Sequence, residues 1–169
     1  FLCFATAPYS WRWSPYYFVQ YHADSSRITV WVNSSFHQEA INFRTEDPEF
    51  RQTAQNMATK FSLPYQDYRR FHDGRGPMKI LILGAGTGND VNIALLNGVR
   101  DITAVEIDPQ IADIGVDLNP MRPYQEPSVR LVIDDGRHFL SHTKDRYDMV
   151  LFGTLDSQTL LAGQSNLRL

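Results

Sequence analysis

Runs of aromatic and β-branched residues dominate the start of this chain, and short apolar runs alternate with amphipathic stretches in its second half. "YYFVQY" (16–21) and "RITVWV" (27–32) flank the turn-forming "HADSS", a pattern that predicts a β-hairpin. From Asp47 the period changes. Asp47 can cap a helix, Pro48 suits its first position, and Phe50, Ala54, Met57, Ala58 and Phe61 recur at helical spacing. Leu63-Pro64 is expected to stop that helix, and the polar, basic "YRRFHDGRGP" (68–77) reads as a linker. After Pro77, "KILIL" (79–83), "ITAVEID" (102–108), "VRLVI" (129–133) and "YDMVLF" (147–152) read as buried parallel strands. Helical segments separate them at 89–97, 109–119 and 136–143. Four strands with three crossover helices predict a doubly wound α/β sheet preceded by a small β unit.

The expected organisation is an apolar stub at 1–10, a β unit plus helix at 11–67, a linker at 68–77 and a nucleoside-binding α/β domain at 78–169. The stub "FLCFATA" is far shorter than the roughly 20 residues that cross a bilayer. Of the 21 aromatic residues, nine lie in the first 21 positions, which suits either a membrane interface or aromatic strands packed on a core. Charge narrows the partners. With 16 Lys and Arg against 19 Asp and Glu, the chain offers no broad basic field for nucleic acid or an anionic bilayer. Its one cysteine, Cys3, forms no internal disulfide framework.

Chemistry concentrates in "LILGAGTGND" (81–90), where a strand runs into Gly84, Gly86 and Gly88. Glycines after the first strand of such a sheet allow a tight turn and close approach of main-chain N–H groups to a ligand. The spacing is G-x-G-x-G, with Asn89 where a dinucleotide fingerprint has its third glycine. Glu106 ends the second strand 22 residues after Gly84, placed to accept hydrogen bonds from ribose hydroxyls, so a nucleoside fits better than a pyrophosphate. Asp134 and Asp135 end the third strand, as acceptors for an adenine amine or as helix caps. Asp156 follows the fourth strand, available to hold a cationic substrate or take a proton. His138 and His142 have a spacing that suits a shared metal, but no third ligand accompanies them and no metal is expected. Ser157 lacks a nucleophile elbow.

In order and spacing, "KILILGAGTGND", "AVEIDP", "VIDDGRHFL" and "YDMVLFGTLDS" resemble the spermidine/spermine synthase (aminopropyltransferase) family. "WSPYY" and "RITVWVNSSFHQEAINF" are similar to its N-terminal β region, and the resemblance covers residues 11 to about 160. It is closest to bacterial members fused to membrane-spanning segments. The resemblance implies a Rossmann-like, methyltransferase-type sheet behind a small β domain, here ending early at its C-terminal side. It also implies a transferase that moves an aminopropyl group from decarboxylated AdoMet to a polyamine. Carried over by position, Gly84, Ala85, Gly86, Thr87, Gly88 and Ile107 line the nucleoside, and Glu106 holds its ribose. Asp135 stands at the adenine amine, Gln38 lies near the bound nucleoside, and Asp156 holds the polyamine. The implied parent sits at the cytoplasmic face of a bacterial membrane, and an exposed sheet edge makes a homodimer an expectation.

Two departures accompany the resemblance. The family loop usually reads G-G-G-D-G-G, and its acid, which disfavours a carboxylate on the ligand, is Thr87 here. The family's catalytic aspartate is Gly153. Intact AdoMet as cosubstrate, with methyl transfer, and a non-catalytic nucleoside-binding domain are therefore the alternatives.

Overall fold

The structure, a computed structural model, describes residues 9–153. Strands β1 (Ser10–Trp13), β2 (Phe18–Ala23), β3 (Arg27–Val32) and β4 (Ser35–Ile41) form an antiparallel sheet in sequence order. The expected hairpin is the β2–β3 pair, in register at Tyr21 and Val30. Its turn is held by the Asp24 carboxylate, which accepts from the N–H groups of Ser26 and Arg27. β4 is joined to β3 by a two-residue turn, Asn33–Ser34, in which both residues have positive φ, 48° and 67°. Such a turn follows the right-handed twist of the strands and returns the chain directly. Period-two alternation buries Val19, Ile28, Val30, Val32 and Ala40 on one face and leaves Trp11, Trp13 and Phe36 exposed.

Helix α1 (Pro48–Phe61) starts as expected, with Asp47 accepting from the Glu49 N–H and Pro48 in the first turn. The expected stop is a correction. Leu63-Pro64 opens a second helix, α2 (Leu63–Phe71), because a proline in a first turn has no intrahelical N–H bond to lose. Residues 68–71 are thus helical, and Tyr65 buries its ring against the second sheet. Arg69, read as part of a solvated basic run, donates to the carbonyl and side-chain oxygens of Asn97.

The second sheet is parallel, in the order β7–β6–β5–β8, from β5 (Lys79–Leu83), β6 (Asp101–Glu106), β7 (Val129–Ile133) and β8 (Met149–Phe152). Crossovers are α3 (Asn89–Leu96), α4 (Pro109–Leu118) and α5 (Gly136–His142), with a single 3-10 turn at Pro123–Gln125 after α4. Every residue of KILIL after Lys79 is buried, because α3 and α2 cover one face and α5 the other. The chain runs outward from β5 to β7 and then returns to the far side of β5, so the C-terminal ends of β5, β6 and β8 frame a switch point where ligands bind in such sheets.

α4 joins the two sheets. Its Ile111 and Ile114 pack into the apolar face of the first sheet, and Arg12 pairs with Asp117 at 3.2 Å. Asn89 adds a polar seam, donating to the Glu39 carbonyl and accepting from the Ile41 N–H at 3.0 Å. These contacts bring β4 against the start of α3, beside the glycine loop.

Candidate functional site

The loop between β5 and α3 takes its shape from glycine. Gly84, Gly86 and Gly88 have φ of 70°, 57° and 102°, in the left-handed region that side chains other than glycine's enter at a cost. The N–H groups of Gly84 and Ala85 both reach the Val105 carbonyl, at 2.9 and 3.0 Å, which turns the chain over the end of β6. Gly86 donates to Glu106 at 2.8 Å, Thr87 donates to Gln38 at 3.1 Å, and Gly88 donates to the Ala85 carbonyl at 3.0 Å. All five loop N–H groups therefore have acceptors.

The carbonyls are held from the opposite side. Tyr124, on the 3-10 turn, places its hydroxyl 2.7 Å from the Gly86 carbonyl and 3.2 Å from that of Ala85. Asn119, at the end of α4, donates to the Thr87 carbonyl at 2.8 Å. Gly115 makes this approach feasible, since a Cβ there would stand 2.8 Å from Thr87 Cα and from the Tyr124 ring. Periodicity along the chain gives no sign of Tyr124 or Asn119. The Asn-Pro pair at 119–120 marks a turn but not what its side chain holds.

Glu106 is 6% exposed. Its two oxygens accept from the N–H groups of Gly86 and, at 2.9 Å, Asp108. Burial pushes this carboxyl above its ordinary value, and the two N–H bonds only partly offset that. Asp108, fully buried, caps α4 through the N–H groups of Gln110 and Ile111 and accepts from the Ser14 hydroxyl at 2.6 Å. The β1–β2 turn is thereby pinned over this side of the site. The Tyr17 phenol is pushed up, first by burial and then by the charges of Asp108 and Glu106.

A cleft of about 300 Å³ lies over the strand ends, lined by Leu83, Gly84, Ile107, Asp134, Asp135 and Phe152 among others. A wider polar depression of about 380 Å³ lies over the β4–α1 connection, with Arg44 and Arg51 in its wall, away from the strand ends. Only the first has the glycine loop and the strand-end acids in its walls.

Gly84, Ile107, Asp134 and Asp135 meet in this cleft, and Gly86 and Glu106 are bonded to each other beside it. Gln38 reaches the loop from the first sheet. Ala85 and Thr87 are buried, so their side chains turn inward. Asp135 caps α5, accepting from the N–H groups of Arg137 and His138, and these bonds hold its carboxyl below the ordinary range. Asp134 pairs with His138 Nδ1 at 2.8 Å. Asp156 and Ser157 lie outside the described residues. Gly153 donates to the Leu83 carbonyl at 2.7 Å, and a Cβ on it would run into the Gly84 carbonyl oxygen.

Residues 64–164 match the profile of the spermine/spermidine synthase domain. The chain belongs to the spermine/spermidine synthase family. Among curated members it is 33% identical over 82 residues to a polyamine aminopropyltransferase of Hamiltonella defensa, covering 46% of this chain and 28% of that protein. A polyamine aminopropyltransferase of Korarchaeum cryptofilum is 30% identical over 83 residues, covering 47% and 26%. The chain thus spans less than a third of the length of these relatives. A solved spermidine synthase from Thermotoga maritima superposes with a TM-score of 0.63 at 15% identity, covering 87% of this chain and 46% of that one. A spermidine synthase in complex with the transition-state analogue AdoDATO gives 0.61 at 14% identity, covering 86% and 46%. The synthase fold, a Rossmann-like sheet behind an antiparallel one, is shared with both.

Proposed function

We propose that this chain is the nucleoside-binding part of a spermidine-synthase-like transferase, which alkylates an amine from an AdoMet-type donor. The observation that carries this is the Glu106–Gly86 pair. A buried carboxylate at the end of β6 is bonded to a bare glycine loop beside a cleft of nucleoside size. A carboxylate offers about four acceptor positions, so a ribose hydroxyl can be accepted while the N–H bonds from Gly86 and Asp108 stay in place. Asp134 and Asp135 in the cleft wall and Glu106 beside it supply acceptors for the amine and hydroxyl groups of a nucleoside, with Arg137 in the same wall. That a structurally similar spermidine synthase is solved in complex with the transition-state analogue AdoDATO supports the same ligand class here.

The donor would supply a carbon made electrophilic by an adjacent sulfonium. What the chain contributes is placement: the glycine loop and Glu106 orient the nucleoside, and Asp156, by its position in the sequence, holds the acceptor amine. No carboxylate at 153 takes the proton that the attacking nitrogen loses, and the tight Gly153–Gly84 contact favours a second reading, binding with slow or no turnover. The resemblance to members fused to membrane-spanning segments is what supports a membrane-attached parent; among the described residues no helix is long and apolar enough to cross a membrane.

Calorimetric titration of the chain with AdoMet and decarboxylated AdoMet tests the nucleoside site. Binding of either that falls at least about tenfold in Glu106→Ala is the expected result, as for loss of a hydrogen bond to a charged group. Equal affinity in that variant would sink the assignment.

A further inference from the structure

Gln38 touches the glycine loop at Gly86 and Thr87, whereas the cleft residues meet it at Gly84. Its side-chain oxygen accepts twice from one residue, from the Thr87 N–H at 3.1 Å and the Thr87 hydroxyl at 3.2 Å. A main-chain N–H can only donate, so the amide oxygen must face Thr87, and the orientation of the whole amide follows. Nε2, with two N–H groups, then points away from Thr87. Among the described residues no acceptor bonds to it.

The surroundings leave this donor pair with a specific job. Thr87 is 0% exposed and its hydroxyl is committed to Gln38. The N–H groups of residues 84–88 are committed within the protein. The space above Gly86 is filled by the Gln38 amide itself, which a Cβ on Gly86 would strike. A ligand extending along the loop past Gly86 therefore meets two neutral N–H donors and no loop carboxylate. Donors of this kind bind a carboxylate through charge-assisted hydrogen bonds and offer nothing to an ammonium group.

We propose that Gln38 sets donor specificity, with Nε2 binding the α-carboxylate of an intact S-adenosylmethionine-type nucleoside in preference to its decarboxylated form. This rests on the nucleoside site proposed above and names which nucleoside it takes. It also separates the chain from the reaction expected of its family, since the ligand keeps the group that an aminopropyl donor has lost.

Three thioether nucleosides, which carry no reactive sulfonium, provide the test: S-adenosylhomocysteine, its decarboxylated counterpart and 5′-methylthioadenosine, titrated calorimetrically into the 169-residue chain. The expected result is binding of S-adenosylhomocysteine about tenfold or more tighter than the decarboxylated ligand, the size of one charge-assisted hydrogen bond. Gln38→Glu keeps an acceptor for Thr87 but faces the ligand with an anion, and should reverse the order. Gln38→Ala, which removes the donor and adds no charge, should bring the two affinities together, with methylthioadenosine reporting separately what the loop loses with its Thr87 acceptor. Tighter binding of the decarboxylated ligand, or a ratio unchanged in both variants, overturns the proposal and leaves the nucleoside site standing. Failure of the unaltered chain to bind any of the three, methylthioadenosine included, overturns the nucleoside site and the specificity with it.

Discussion

The Tyr124 hydroxyl lies 2.7 Å from the carbonyl oxygen of Gly86, whose own N–H is bonded to Glu106. One glycine is thus gripped through both of its polar main-chain groups, by the last residue of β6 and by the 3-10 turn that follows α4. Burial also pushes the Tyr124 phenol well above its ordinary value, so it stays a donor throughout the accessible pH range.

Tyr124→Phe keeps the ring that packs over Gly88 and Gly115 and removes only the hydroxyl. Loss of one buried hydrogen bond should lower stability by about 1–3 kcal/mol. If the hydroxyl also sets the loop's shape, nucleoside affinity should fall several-fold in a protein that still melts cooperatively. Calorimetric titration beside a thermal melt checks both, and an unchanged affinity would confine Tyr124 to stability.

The elevated carboxyl of Glu106 has two opposite consequences for pH. Its folded-state value lies above its unfolded one, so protonation is easier in the native protein, and Glu106 adds to stability as pH falls through the folded value. A ribose hydroxyl needs the ionised form as acceptor. As pH is lowered, nucleoside affinity should therefore begin to decline while an ordinary glutamate, with its pKa of ~4.3, would still be charged. Titrations across pH should show this decline in the unaltered chain and not in Glu106→Gln.

The sequence resemblance implies a catalytic aspartate at the position of Gly153, and the simplest test of that implication is to place one there. Because a Cβ there would run into the Gly84 carbonyl, Gly153→Asp should displace the end of β8 and destabilise the chain by about 1–3 kcal/mol, in line with overpacked sites. It should not raise alkylation of an amine. Chemical denaturation and an amine-alkylation assay measure the two effects, and a gain in turnover would show that the loop yields to a side chain at this position.

Much of this protein was legible before any coordinates. KILIL reads as a doubly covered strand because each of its apolar residues needs a neighbour on its own face, and Asp47 and Asp135 fall where helices need an acceptor, whereas Asp108, expected at the end of a strand, caps α4 instead. The G-x-G-x-G spacing and Glu106 are likewise local patterns, set by main-chain geometry at the ends of two adjacent strands. β4 was harder to see: its turn is Asn-Ser rather than Asn-Gly, and "SFHQEAI" alternates weakly. The second helix was missed because Pro64 ends a helix in one context and begins one in another.

What only the tertiary structure decided is how distant residues share the same few atoms. Gln38 meets Thr87 across 49 positions, Tyr124 meets Gly86 across 38, and Asn119 meets Thr87 across 32. Nothing in the local pattern of either partner announces the other. A hydrogen bond is directional and short, so whether one forms depends on packing between α4, the first sheet and the loop to within a fraction of an ångström. The sequence alone thus determined the elements and the chemistry available at the strand ends. Packing determined that Thr87 turns inward and that Gln38 presents a donor beside the loop.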